Sequence, residues 1–127
     1  MQKTIIHTDK APQAIGPYSQ AVQVNNIIYL SGQIPIDPST MKLVTSSFEN
    51  QAVQVFENIQ AVAEEAGASL ANVVNMTILL SDMSYFAQLN EVMNRYFNAP
   101  FPARAAYAVK ALPMSADIEI IATLAVE

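Results

Sequence analysis

The spacing of apolar residues predicts two amphipathic helices. Between about Phe48 and Ala66, apolar residues recur every three or four positions, and Glu and Gln residues occupy the opposite side. Gly67 follows, and glycine readily takes the left-handed conformation that ends many helices. A second stripe begins after serines at 81 and 84, which can cap a helix, and continues to about Asn98. Two prolines then prevent the helix from continuing.

Shorter apolar runs predict β-strands. Val73–Leu80 is continuous and rich in β-branched residues, which is typical of a buried strand. Asn25-Asn26 suits a tight hairpin turn, because asparagine tolerates left-handed backbone angles. Pro35 and Pro38 indicate an irregular segment over Ile34–Ser47. The other expected strands are Lys3–Thr8, Ser19–Val24, Ile27–Ser31, Arg104–Ala111 and Ile118–Val126, the last two joined across the turn Leu112–Asp117.

The order of these elements indicates the fold class. Two amphipathic helices bury both of their apolar faces most simply on one face of a mixed sheet. We therefore expect one α+β domain over residues 1–127, built as a two-layer sandwich. The other face of the sheet is also apolar, so we expect another subunit to cover it.

Composition supports an oligomer and disfavours nucleic acid as a partner. Charged residues make up 13% of the chain, against about 25% in typical soluble domains, which suggests that some surface is buried against other copies. The net charge is −5, and the six Lys and Arg residues form no cluster in the sequence. Binding to a phosphate backbone depends on grouped basic residues.

The same inventory predicts a cytoplasmic protein without membrane association. The chain has no cysteine, which fits a reducing compartment. The first residues lack the apolar core of a signal peptide, and no apolar run approaches the roughly 20 residues that cross a bilayer.

Few residues offer conventional catalytic chemistry. No group of His, Cys or acidic residues has the spacing of metal ligands, and neither a phosphate-binding glycine loop nor a Ser-His-Asp motif is present. The single histidine, His7, lies outside any motif, where histidine is more often structural. We therefore expect neither a metal nor a cofactor.

Three short segments contain unusual polar positions. Arg104, one of two arginines, has small apolar neighbours, and its guanidinium can bind a planar carboxylate through two hydrogen bonds. The alternative, pairing with an acidic residue of another subunit, is equally compatible with the sequence. Tyr18, after Gly16-Pro17, and Ser31, before Gly32, can supply hydroxyl groups, although alone each is more often a core residue or a strand end.

Together these segments resemble the Rid/YjgF family of reactive-intermediate deaminases. The matching stretches are residues 11–20 (APQAIGPYSQ), 31–35 (SGQIP), 58–67 and 102–105 (PARA). Their order and separation agree over essentially the whole chain, which is far more specific than any single motif. The resemblance implies a chorismate-mutase-like fold, assembled as a homotrimer with sites in clefts between subunits.

The resemblance also implies an activity. Family members hydrolyse 2-aminoacrylate, 2-aminocrotonate and their imine tautomers (2-iminopropanoate and 2-iminobutanoate) to 2-oxo acids and ammonia, without a cofactor. Carried onto this sequence, Arg104 would bind the substrate carboxylate, and Tyr18 and Ser31 would supply hydroxyl groups. The other substrate-binding positions that the resemblance implies are Gly32, Ala106 and Asn90.

One position departs from the family pattern. Family deaminases commonly carry Glu-Ile-Glu on the last strand, with a glutamate that positions or activates water, and here the second glutamate position is Ile121. Glu119 lies on the same strand face, displaced by roughly 6.6 Å along the strand. Glu119 is therefore a candidate for water positioning only through a longer water chain, and we favour a structural acid at a trimer seam.

Two alternatives to a deaminase stay open. Without a glutamate at 121, the cleft could keep its carboxylate clamp and lose hydrolysis, which would give a binding or regulatory protein for small acids. A purely structural or interaction role would require solid protein in place of the cleft. Ribonuclease activity, attributed to some relatives, has no support in a chain with a pI near 4.7, no basic stripe and no histidine pair.

Overall fold

A six-stranded mixed sheet forms the centre of the structure, a computed structural model of residues 1–127. The strands of the chain are β1 (Thr4–Ile6), β2 (Ala21–Val24), β3 (Ile27–Leu30), β4 (Ile36–Asp37), β5 (Lys42–Leu43), β6 (Val73–Leu80), β7 (Ala103–Ala108) and β8 (Ile118–Ala125). The large sheet has the order β1-β2-β3-β8-β6-β7, with β6 and β7 parallel and all other neighbours antiparallel. Asn25, with a φ of 54°, turns the predicted β2–β3 hairpin.

Both predicted helices pack on one face of this sheet, which confirms the α+β sandwich. Helix α1 (Phe48–Glu65) begins where the Ser47 side chain accepts a hydrogen bond from the Asn50 N–H. Gly67, with a φ of 77°, follows its end as expected. Helix α2 (Phe86–Tyr96) lies beside α1, and the two apolar faces share one core with the sheet.

The two central strands show which side chains face the helices. Ile78 of β6 pairs with Ile120 of β8, and both are fully buried under the helices. The next pair, Leu79 and Glu119, points to the helix-free face. Strand β6 is therefore buried on one face only, whereas its continuous apolar run predicts a strand that is buried as a whole. Large apolar side chains exposed on strands of the sheet are Ile5, Tyr29, Val74, Tyr107 and Ile121.

The start of the second helix differs from the prediction. A 3₁₀ turn (Met83–Tyr85) precedes α2, and Asp82, rather than a serine, caps this turn by accepting from the Ser84 N–H. Helix α2 itself begins without a side-chain cap. The Ser81 hydroxyl donates to the carboxylate of Asp117 and accepts no hydrogen bond from the start of the helix. The helix ends at Tyr96, two residues before the predicted end.

Two further features of the strands also differ from the sequence-based expectations. The segment predicted to be irregular contains the small hairpin β4–β5, in which Ile36 pairs with Leu43 and the turn is made by Met41 at a φ of 58°. Strands β7 and β8 follow one another in the chain but do not pair, because β6 lies between them. No helix of the structure combines the length and the apolar character needed to cross a membrane.

Candidate active site

Arg104 lies on the edge strand β7 and faces the helix side of the sheet. Its strand partner is Met76, which is fully buried beneath the helices. The guanidinium carbon is 5.3 Å from the centre of the Phe86 ring, and Nη1 donates to the sulfur of Met93 at 3.3 Å. The two ion pairs of the chain involve other residues. The guanidinium is thus held by uncharged groups, and no carboxylate of the chain neutralises it.

A cleft of about 440 Å³ adjoins this guanidinium. Asn90, half-buried on α2, lines the cleft. Asn94 lies one helical turn further along the same face, and the exposed ring of Phe101 forms another part of the wall. Asn94 and Phe101 were not predicted from the sequence, although the spacing of the two asparagines was a visible signal.

The alanines next to Arg104 do not provide the space beside it. Ala103 and Ala105 pair with Asn75 and Thr77 and therefore point to the opposite face of the sheet. Ala106 does share the face of Arg104, where it packs against the core. The cleft, rather than small flanking side chains, leaves room for a ligand.

A second cleft, of about 600 Å³, lies beyond the end of β3. It brings together four of the residues identified from the sequence, which are Tyr18, Ser31, Gly32 and Glu119. Apolar side chains that also line it are Pro12, Ile15, Ile34, Ile36, Pro113 and Met114. Hydroxyl, carboxyl and backbone groups therefore meet in one partly apolar cavity, which is the usual character of a small-molecule site.

Hydrogen bonds determine what the two hydroxyl groups can offer a ligand. The Ser31 hydroxyl donates to the carbonyl of Ser19 at 2.6 Å, so its oxygen remains available only as an acceptor. The Tyr18 hydroxyl accepts from the Ile15 N–H at 3.3 Å and keeps its own proton for donation.

Gln20 organises the wall of this cleft, a role that the sequence analysis did not assign. Its buried amide accepts from the Thr8 N–H at 2.7 Å and donates to the carbonyls of Thr8 and Pro12 at 3.0 and 2.8 Å. These bonds fix the segment before β2 against the sheet. The available signal was a glutamine directly before the apolar start of β2.

Glu119, and not position 121, reaches the cleft. Its carboxyl group lies against Gly32, and burial raises the pKa of Glu119 above its ordinary value. Ile121 lines neither cleft and is 40% exposed on the helix-free face. Position 121, where the family pattern places a second glutamate, therefore reaches neither cleft of the chain. Residues two positions apart on a strand point to the same face of the sheet but lie roughly 6.6 Å apart along the strand.

The two clefts are separate within one chain. They have no residue in common, and Arg104 and Glu119 lie on opposite faces of the sheet. His7 lines neither cleft and contacts Asp9 at 3.2 Å. No group of three or more His, Cys, Asp or Glu side chains is placed to hold a metal ion.

Known proteins resemble this chain over nearly its whole length. Residues 8–126 match the family model described as Endoribonuclease L-PSP. A human protein named 2-iminobutanoate/2-iminopropanoate deaminase is 48% identical over 118 residues, which cover 93% of this chain and 86% of that protein. The crystal structure of RidA from a Psychrobacter species matches with a TM-score of 0.94 at 51% identity, covering 97% of this chain and 99% of that one. That of E. coli TdcF with bound serine matches with a TM-score of 0.93 at 35% identity, covering 98% and 99%.

Proposed function

The chain belongs to the Rid/YjgF family, and on this basis we propose that it hydrolyses 2-iminopropanoate, 2-iminobutanoate and their enamine tautomers to 2-oxo acids and ammonia. The observation that carries the proposal is the unneutralised guanidinium of Arg104 beside an open cleft. Such a cation binds a small carboxylate through two parallel hydrogen bonds. The serine bound to TdcF is likewise a small acid with a nitrogen on the carbon next to its carboxylate.

We propose further that each site forms between two copies of the chain. Arg104 and Asn90 supply one half, and the cleft of Tyr18, Ser31 and Glu119 supplies the other half from a neighbouring copy. Support comes from the position of the two clefts on opposite faces of one protomer, where they cannot enclose a single small ligand. The exposed apolar side chains of the helix-free face favour a homotrimer that covers this face.

The proposed chemistry needs no covalent enzyme intermediate. With the carboxylate held by Arg104, water adds to the carbon of the protonated imine while Glu119 accepts a proton from that water. Glu119 then returns the proton to the nitrogen, the C–N bond breaks, ammonia leaves, and Glu119 takes up the hydroxyl proton as the carbonyl forms. A carboxyl whose pKa is raised by burial suits both steps, because it exchanges protons closer to neutral pH. Because Arg104 holds the imino acid and Glu119 holds the water, the two reactants are kept close together, which favours the addition.

The placement of Glu119 weakens the binding-only alternative. That alternative rested on isoleucine at 121, and the cleft contains a carboxyl group from position 119 instead. We do not propose ribonuclease activity, despite the family description, because a chain with net charge −5 and six scattered basic residues offers little attraction for RNA. A cytoplasmic location stays a prediction from the sequence.

The experiment is an assay in which a dehydratase generates 2-aminoacrylate or 2-aminocrotonate in the cuvette. We expect the protein to accelerate loss of the intermediate and release of ammonia. Decay at the same rate with and without protein would contradict a deaminase. Saturable binding of 2-oxobutyrate without turnover would instead support the binding function.

A further inference from the structure

Gly32 and Glu119 are in direct contact in the second cleft. A Cβ atom added at Gly32 would overlap a carboxylate oxygen of Glu119 and would lie 3.0 Å from its Cδ. The three atoms nearest to that point all belong to Glu119. The end of the glutamate side chain therefore occupies the space that a side chain at position 32 would fill.

The backbone conformation does not account for this glycine. Gly16 and Gly67 have positive φ angles of 129° and 77°, whereas Gly32 does not fall in that region. Residues with side chains can adopt its conformation without strain. The contact with Glu119 is what requires the absence of a Cβ atom.

Backbone hydrogen bonds hold the two residues at this distance. Gln33 and Ile120, which directly follow Gly32 and Glu119, exchange two backbone hydrogen bonds of 2.9 and 3.1 Å. The strands cannot separate without breaking these bonds. The Glu119 carboxyl has neither a hydrogen bond nor an ion pair of its own, so a larger residue at 32 would displace the carboxyl rather than the backbone.

We propose that Gly32 is a positioning residue for Glu119, since its missing side chain determines where the carboxyl group lies in the cleft. The consequence for catalysis rests on the proposed function, in which Glu119 exchanges protons with water and the imine nitrogen. The steric relationship itself does not depend on that function, so the two can be tested separately.

The first test measures the titration of the Glu119 carboxyl by NMR, with ¹³C-labelled glutamate and Glu119→Gln to assign the signal. Gly32→Ala is expected to move the titration midpoint by about 0.5 pH unit or more, because the carboxyl enters a different environment. An unchanged midpoint would overturn the proposal. The titration can be measured even if the protein hydrolyses no imine. Absence of hydrolysis would contradict the proposed function but not the positioning role of Gly32.

Gly67→Ala is the control for the substitution of a glycine. A Cβ atom added at Gly67 would have no neighbour within 4 Å, but the residue has a positive φ, so alanine there should lower Tm and leave the Glu119 titration unchanged. Gly32→Ala should show the opposite pattern, with a nearly unchanged Tm. Failure of Gly32→Ala to fold would also contradict the proposal, because the displacement is expected to stay within one side chain.

A double-mutant cycle tests the catalytic consequence. Gly32→Ala should lower kcat about 10- to 100-fold in the native background, as expected for a misplaced catalytic group. In the Glu119→Ala background the same substitution should have no further effect, because no carboxyl remains to be displaced. An equal loss in both backgrounds would show that Gly32 acts on the ligand directly and would overturn the positioning role.

Discussion

The guanidinium of Arg104 lies 5.3 Å from the centre of the Phe86 ring, and no carboxylate of the chain pairs with it. A cation above an aromatic face is held in place without being neutralised, so it keeps its affinity for an incoming anion. The other arginine, Arg95, is in a different situation, since it pairs with Glu49 at 3.2 Å on the surface.

Replacing Arg104 with Ala is expected to lower kcat/KM for imine hydrolysis about 100-fold or more. Two hydrogen bonds to a charged group would be lost, each contributing about 1.5–3 kcal/mol. Arg104→Lys should recover only part of the loss, because a lysine cannot form the paired bonds. The matched control is Arg95→Ala, which should leave kcat/KM unchanged. Similar losses in both alanine variants would contradict a specific role for Arg104.

Replacing Phe86 with Leu is expected to raise KM about 2- to 10-fold with little change in kcat. The leucine keeps the site apolar but removes the ring that holds the guanidinium, an interaction of about 0.5–1 kcal/mol or more. Steady-state kinetics, with thermal melting to confirm folding, measures the effect. A fall in kcat at constant KM would show that the ring serves another purpose.

The pH dependence should report on Glu119. Burial raises the pKa of Glu119, so kcat/KM should decrease as pH falls through a midpoint above the ordinary glutamate value. The free energy of unfolding should depend on pH in the opposite direction. Because the pKa of Glu119 is raised in the folded state, this group favours folding most at low pH, and its contribution is lost as pH rises through that pKa. Glu119→Gln should remove both dependences. If kcat/KM of the Glu119→Gln variant still decreases at low pH, a group other than Glu119 is responsible for the decrease.

Replacing Ile121 with Glu is expected not to increase the rate. The side chain at 121 is exposed on the helix-free face and lines neither cleft, so a new carboxylate there would not reach the proposed water. Because glutamate is common at this position in the family, the variant should assemble as the unaltered protein does. Analytical ultracentrifugation should find about three times the 13.8 kDa of one chain for both. A large gain in rate with Ile121→Glu would contradict the assignment of Glu119.

Replacing Gln51 with Leu is expected to lower the free energy of unfolding by about 1–3 kcal/mol. The buried Gln51 amide donates to the Asp117 carboxylate at 3.0 Å and accepts from the Asp117 N–H at 2.9 Å, and leucine would leave both groups without that partner. Urea denaturation measures the loss. Gln60→Leu, which removes only an exposed hydrogen bond to Glu64, should change the value by less than about 0.5 kcal/mol. Equal losses of unfolding free energy in the two variants would show that the buried contact between Gln51 and Asp117 does not stabilise the fold.

Elements with local causes could be predicted from the amino-acid sequence alone. The periodicity of apolar residues located α1, Gly67 marked the end of that helix, and the run from Val73 to Leu80 matched β6 residue for residue. Asn25 likewise placed the hairpin turn. Each of these depends on residues within a few positions of one another, so the pattern along the chain is sufficient.

The way in which these elements meet depends on contacts between distant parts of the chain. The insertion of β6 between β7 and β8, the face to which Arg104 points, and the choice of Glu119 over position 121 all depend on strand order and register. A shift of one residue moves a side chain to the other face of a sheet, and register is set by packing between segments that are distant in the sequence. The contact between Gly32 and Glu119 joins residues 87 positions apart, so no local pattern could have predicted it.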